Sequence, residues 1–286
     1  MDKITSLVEA RRQFATQESC EQYLASHRWP DGVTCPRCGS KRVTYMESRH
    51  QWQCECRYQF SVTSGTVFHK THMDLPRWLM AVWLVCHSPK GVSSKQIQRE
   101  LGCTYKTAWY MTRRIRLAIQ NNLVGMRIEG RVEIDEAVIK ADGGRATGNV
   151  TYNAKDVLGM ASRTYGTLRM IVLERLAKEE IQRVCTTNLG KVKAFYTDAA
   201  HRFDFLREQA PRYSVTHGWY GHSEYARGNV HVNRVENAWG LFKRGLMGVY
   251  HHVNAKYLQE YLDEFAFRQS NLKDQEALVG MVFASC

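Results

Sequence analysis

Residues 228–253 read GNVHVNRVENAWGLFKRGLMGVYHHV, and a helix wound from Val232 to Met247 at about 100° per residue separates them into two faces. Val235, Trp239, Phe242 and Leu246 form a narrow apolar stripe that asks to be packed. Beside it, Asn233, Glu236, Gly240 and Lys243 share a sector less than a quarter-turn wide. A helix anchored by that stripe presents one carboxylate, Glu236, to whatever other elements bring alongside. The same residues on a lone amphipathic helix make an ordinary surface ion pair, so the decision rests on what lies upstream.

Upstream, the pattern is one of strands. RVEIDEAVIKA (131–141) alternates apolar and polar residues and sets Asp135 at mid-strand. DVLGMASR (156–163) and TLRMIVLE (167–174) read as two more strands of a meander. AKEEIQRVCTTNL is an amphipathic helix, KVKAFYTD (191–198) a fourth strand ending on Asp198, HRFDFLREQA a short helix and YSVTHG a fifth strand. Three strands, helix, strand, helix, strand, helix imply a mixed sheet with helices on its faces.

Aspartate is depleted in strands, and two close together repel. Divalent cations remove that objection, because Mg²⁺ prefers hard oxygen ligands and leaves positions open for phosphate and water. The reading is therefore a pair of Mg²⁺-like divalent ions bridged by Asp135 and flanked by Asp198 and Glu236. Taken singly, each of the three also has a bland role, as a strand cap, a turn opener and a surface acid.

Nearer the amino-terminus, CPRCGS (35–40) and WQCECRYQFSV (52–62) carry Cys35, Cys38, Cys54 and Cys56. Four thiolates complete a tetrahedral structural zinc site and hold together a segment too small for its own core. The second pair is one residue tighter than zinc ribbons usually have, which leaves His50 open as a substitute ligand. Cys20, Cys86, Cys103, Cys185 and Cys286 are scattered and read as core or inert.

Between these regions, PRWLMAVWLVCHS is an apolar helix. GVSSKQIQRELGCTYKTAWYMTRRIRLAIQ then gives a short helix, a turn at Gly102-Cys103-Thr104 and a longer basic helix, the form of a helix-turn-helix. Tyr105, Lys106, Thr107 and Tyr110 lie where a recognition helix meets base edges, and Arg113, Arg114 and Arg116 nearer phosphates. A plain helical bundle with a basic face fits the pattern equally.

The charge balance favours a nucleic acid. The 286 residues carry 40 Lys and Arg against 28 Asp and Glu, a net charge of +12. Residues 1–130 hold 19 of those bases against 10 acids, and the remainder 21 against 18, so the excess sits on the front half. No apolar run nears the ~20 residues a bilayer span needs, and the amino-terminus has no signal-peptide core. A cytoplasmic protein with reduced cysteines is expected. Three domains follow: helices and zinc ribbon over 1–70, helix-turn-helix over 71–128, and an α/β catalytic domain over 129–286.

VEIDEA, FYTDAAHRF and VHVNRVENAWGLFKRGLMGVYHHVNAKYLQEYLDEFAFR resemble the catalytic segments of bacterial insertion-sequence transposases of the DDE type, the ISXO2-like family. That family also carries an amino-terminal zinc ribbon, here Cys35 to Cys56, and the resemblance runs from about residue 15 to about residue 272. It implies a ribonuclease-H-like core, two Mg²⁺ or Mn²⁺ ions, one structural Zn²⁺, and binding of the double-stranded DNA of the element ends and target by a homo-oligomer. The triad is then Asp135, Asp198 and Glu236, with Lys243 and the neighbouring Arg244 against DNA. Part of the family has asparagine at the third position, so Asn233 and Asn237 compete with Glu236 there. Among the flanking residues, His217, His231, His251 and His252 are candidates to orient a nucleophile or touch phosphate, although His251 and His252 read better as structural histidines; Trp219, Tyr220 and Tyr225 read equally as base-stacking residues or as a lid loop packed on itself. Two other readings stay open: a zinc-ribbon regulator without chemistry, and a structure-selective nuclease on the same fold.

Overall fold

The structure, a computed structural model, describes residues 4, 6–141, 153–216, 226–272, 279, 280 and 282. Packing divides the chain into two units, Met1–Asn122 with Lys273–Cys286, and Leu123–Leu272. The sequence reading drew its boundaries instead after residues 70 and 128.

In the first unit, α1 (Leu7–Gln13) and α2 (Gln17–Arg28) each begin on a capping box, Ser6 with Glu9 and Thr16 with Ser19. A three-stranded antiparallel sheet follows: β1 (Val43–Met46), β2 (Gln51–Cys54) and β3 (Gln59–Phe60). Its small core sets Trp29 edge-on to Trp52 and Phe60 at 5.3 and 5.9 Å between ring centres. Helices α3 (Leu75–His87), α4 (Ser94–Leu101) and α5 (Tyr105–Leu123) come next. The chain between ribbon and helices is tied to both. Arg28 donates to the Val62 carbonyl, and Arg114 donates to those of His69 and Thr66. Val279 and Val282 are buried and group with this unit as well.

The second unit is one five-stranded sheet in the order β6-β5-β4-β7-β8. Its strands are β4 (Ile128–Ala141), β5 (Asn153–Ser162), β6 (Leu168–Val172), β7 (Leu189–Asp198) and β8 (Arg212–Val215). β4, β5 and β6 pair antiparallel, and β4, β7 and β8 pair parallel. The meander thus occupies one half and the parallel strands the other, the topology of a ribonuclease-H-like core.

Both faces are covered. Val132 and Ile134 of β4, Leu158 and Met160 of β5 and Phe195 of β7 pack with α6 (Lys178–Asn188) and the 3₁₀ segment His201–Glu208. The alternate residues Ile139, Val157, Ala161, Ala194 and Tyr196 pack with α7 (Asn233–Gly245) and α8 (Leu258–Ser270). The stripe expected from residues 228–253 does the anchoring, with Val235, Trp239 and Phe242 buried against the sheet. α7 ends two residues earlier than the sequence pattern suggests and gives way to a π-helical turn, Leu246–Tyr250.

Candidate active site and metal centre

Strand alternation decides which way the aspartates face. Asp135 falls in step with Ala137 and Ile139, so it points toward α7. On the parallel neighbour β7, Asp198 falls in step with Ala194 and Tyr196 and shares that face. The β4–β7 register ends at Glu133 opposite Tyr196, and Asp135 and Asp198 each lie two residues further on. The third acid, Glu236, sits exposed on the first turn of α7. Asn233 and Asn237 are exposed beside it.

Asp135 senses the other two acids. Burial raises the Asp135 carboxyl, the Trp239 indole N–H at 3.1 Å pulls it back, and the charges of Asp198 and Glu236 push it up again, to about 6. Glu136 points to the opposite face. Burial and Asp198 raise it against the pull of Arg202, 2.9 Å away, leaving it at about 7. Burial leads both shifts, and neighbouring acids add to it. Carboxylate oxygens are hard donors of the kind divalent cations take. Among the described residues, only the four cysteines bring three or more candidate ligand atoms within 4.8 Å of one another, so the three carboxylates stand wider apart than that.

Sequence reasoning passed over Glu133. It is fully buried two residues before Asp135. One carboxylate oxygen accepts from the backbone N–H groups of Arg234 and Val235 at 2.7 and 3.1 Å. The other accepts from Arg163 Nε at 2.6 Å. Val232 at the α7 N-cap makes no side-chain cap hydrogen bond, so the strand bearing Asp135 caps the helix bearing Glu236. Arg163 also donates to the carbonyl oxygens of Asn229 and His231, and its guanidinium lies 3.7 Å from the Tyr196 ring centre. The signal in sequence was a glutamate in a strand, which alternation alone reads as solvent-facing.

Lys243 and Arg244 are exposed in the last turn of α7, Lys243 two turns beyond Glu236. His231 is half-buried on Arg163, and His251 and His252 are exposed after the π-helical turn. His217, Trp219, Tyr220, Tyr225, Cys286 and the last residues of the fifth strand lie outside the described residues.

In the first unit, the four cysteines close on one another. Cys35 and Cys56 sulfurs are 3.8 Å apart, and Cys38 and Cys54 sulfurs 3.6 Å. Zn–S bonds of about 2.3 Å in a tetrahedron require sulfurs about 3.8 Å apart. The cluster fits a structural zinc ion with the shorter second pair included. In both knuckles the residue after the second cysteine turns left-handed, Gly39 at φ +72° and Arg57 at φ +65°. His50 is not in the cluster. It contacts Glu21 and the Tyr45 hydroxyl instead.

Of the residues expected at DNA, Tyr105, Lys106 and Tyr110 are exposed at the start of α5, and Thr107 is half-buried. Thr104 caps that helix by accepting from Thr107 N–H, and left-handed Gly102 ends α4. Arg113 stacks toward Trp109. Arg114 packs against Tyr110 and Trp78 while bonding the 66–69 backbone. Arg116 is buried, which corrects its expected place near phosphates: it lies on the inward side of α5 beside Ile115 and Ile119.

A mixed sheet of this topology and a four-cysteine ribbon fit a transposase-like class of protein. Residues 127–270 match the ISXO2-like transposase domain, and residues 15–59 the transposase zinc-ribbon domain. The chain belongs to the ISXO2-like transposase family. It is also 28% identical over 278 residues to a protein in transposable element ISH50 of Halobacterium salinarum, covering 90% of this chain and 92% of that relative. Two solved structures, the Mos1 strand transfer complex and a pre-cleavage Mos1 transpososome, align at 12% identity and a TM-score of 0.27. Each alignment covers 65% of this chain, with 71% and 73% of the respective Mos1 chain.

Proposed function

We propose that this chain is a DNA transposase that binds the terminal inverted repeats of an insertion sequence and catalyses strand cleavage and strand transfer. The observation that carries the reading is the meeting of Asp135 and Asp198 on adjacent parallel strands, same face and same level, with Glu236 close enough to raise Asp135.

Asp135, Asp198 and Glu236 would hold two Mg²⁺ or Mn²⁺ ions, which when bound supply Lewis acidity and charge neutralisation at the phosphodiester. The chain itself positions. Trp239 fixes the Asp135 carboxylate, Glu133 fixes the start of α7, and Lys243 and Arg244 hold DNA phosphates along that helix. Water attacks the phosphorus at the element end and the P–O3′ bond breaks, leaving a 3′-hydroxyl. That hydroxyl then attacks a target phosphodiester in-line, and the target's own 3′-oxygen leaves with the proton.

In the same reading α4 and α5 form a helix-turn-helix that reads DNA through Tyr105, Lys106 and Thr107, with Arg113 toward phosphate and Arg114 bracing Tyr110. The protein acts as a homo-oligomer on paired ends. The test is incubation of purified protein with DNA carrying candidate terminal repeats and Mg²⁺. Free 3′-hydroxyl ends and joined products are expected, both abolished by Asp135→Asn. Cutting without joining would indicate a nuclease, and binding without cutting a regulator.

A further inference from the structure

A cleft of about 480 Å³ opens on the α7 side of the sheet, lined by Arg131, Arg163, Arg234, His231, Glu133 and Tyr196 among others. Glu133 is the one acid in this lining, and Arg163 with two helix N–H groups already satisfies it. Arg131 and Arg234 are therefore surplus cations, exposed at the rim. The fold gains nothing from gathering like charges unless an anion joins them, and a recess lined by one sign concentrates its field there. The side chains are also held in place. Arg234 donates to the Gly166 carbonyl at 3.0 Å, and Arg163 is fixed by the carbonyl oxygens of Asn229 and His231.

We propose that this cleft seats a phosphodiester of the DNA strand that flanks the reacting one. The inference rests on the reading of Asp135, Asp198 and Glu236 as the reacting centre, and it deepens that reading. Glu133 and Tyr196 in the cleft are registered partners, and two residues further along the same strands stand Asp135 and Asp198. Two strand residues span about 7 Å, against roughly 3.4 Å of axial rise per nucleotide along one strand of DNA. The cleft is thus one or two phosphates from the carboxylates. Lys243 lies beyond Glu236 at the other end of α7. A strand laid along α7 meets positive charge on both sides of the acidic cluster.

The experiment measures binding of the full-length, zinc-loaded protein to a labelled 30-base-pair duplex of random sequence with no added Mg²⁺ or Mn²⁺, across a salt series. Arg131→Ala and Arg234→Ala are each expected to weaken binding and to make the slope of log K against log salt shallower by about 1. Arg175→Ala, an exposed arginine beyond β6 on the same unit, is the control and is expected to leave the slope unchanged. Equal loss in the control would mean that only net charge matters and would overturn the proposal, as would unchanged slopes in both cleft variants. Competition by millimolar inorganic phosphate that restores the wild-type slope to the variant value supports the cleft as the site lost. No competition, with the slope change present, points to contacts spread outside the cleft and also overturns it. Because cleavage needs added Mg²⁺ or Mn²⁺, a failure here leaves the carboxylate reading standing. A failure of Asp135→Asn to abolish cleavage in Mg²⁺ would remove that reading instead.

Discussion

Gly159 stands directly across from Asp135 in the antiparallel pair of β4 and β5, and the Trp239 ring fills the space where its β-carbon would be. A Cβ there would lie 2.5 Å from Trp239 Cζ2 and 2.6 Å from Val235 Cγ2. The missing side chain lets α7 settle onto the sheet closely enough for the Trp239 N–H to reach Asp135. Gly159→Ala should therefore lift α7, cost about 1–3 kcal/mol of stability and abolish strand cleavage. Thermal melting with tryptophan fluorescence checks the first effect, and a gel assay the second.

Trp239→Phe keeps a ring on Gly159 but removes the donor to Asp135. A cost of about 1 kcal/mol is expected, with the Asp135 carboxyl rising further because a hydrogen bond that lowers it is lost. The pH profile of cleavage should move to higher pH than in the wild type. An unchanged profile would show that the indole N–H has no hold on the carboxylate.

Asp135 titrates near 6 when folded, above its ordinary value of 3.8. Between those values the folded protein binds more protons than the unfolded, so stability without added Mg²⁺ or Mn²⁺ falls as pH rises from about 4 through 6. Asp135→Asn should match the wild type at low pH and exceed it by about 1–3 kcal/mol above pH 7. Denaturant unfolding of the zinc-loaded protein without added Mg²⁺ or Mn²⁺, at several pH values, measures this. Added Mg²⁺ should raise the wild-type melting temperature at pH 7.5 and leave the Asn variant where it was.

Glu133→Gln keeps an acceptor for the α7 backbone but strands the Arg163 charge, whose side chain is only 18% exposed. Breaking such a pair costs about 3 kcal/mol. The double variant Glu133→Gln/Arg163→Met should recover much of that loss, which chemical denaturation can test.

Cys56→Ser should lose zinc and unfold the ribbon, because binding and folding of so small a unit are one free energy. His50→Ala should retain one zinc per chain by elemental analysis.

Much of this fold is legible in the sequence. The apolar stripe of α7 and the strands around Asp135 and Asp198 came from periodicity, which is a local property. The zinc set was legible from cysteine spacing, although the shortened second knuckle hid the solution that Arg57 turns left-handed where Gly39 does in the first. What escaped was long-range. Glu133 reaches residues about a hundred positions away, and nothing adjacent to it marks it as buried. Arg114 and Arg116 look like solvent-facing bases on a basic helix, yet one braces the 66–69 backbone and the other points inward. Periodicity registers a charge but not the distant carbonyl that accepts from it.

Two of the three acids ride on hydrogen-bonded strands whose spacing the sheet enforces, while Glu236 travels with a helix pinned at its first turn by Glu133. Any adjustment in the gap between them passes through that buried carboxylate and through Trp239 and Val235 seated on Gly159, so the distance of the third acid is set at a seam between helix and sheet. Variants that loosen the seam would leave two donors standing at their original separation and let only the third drift.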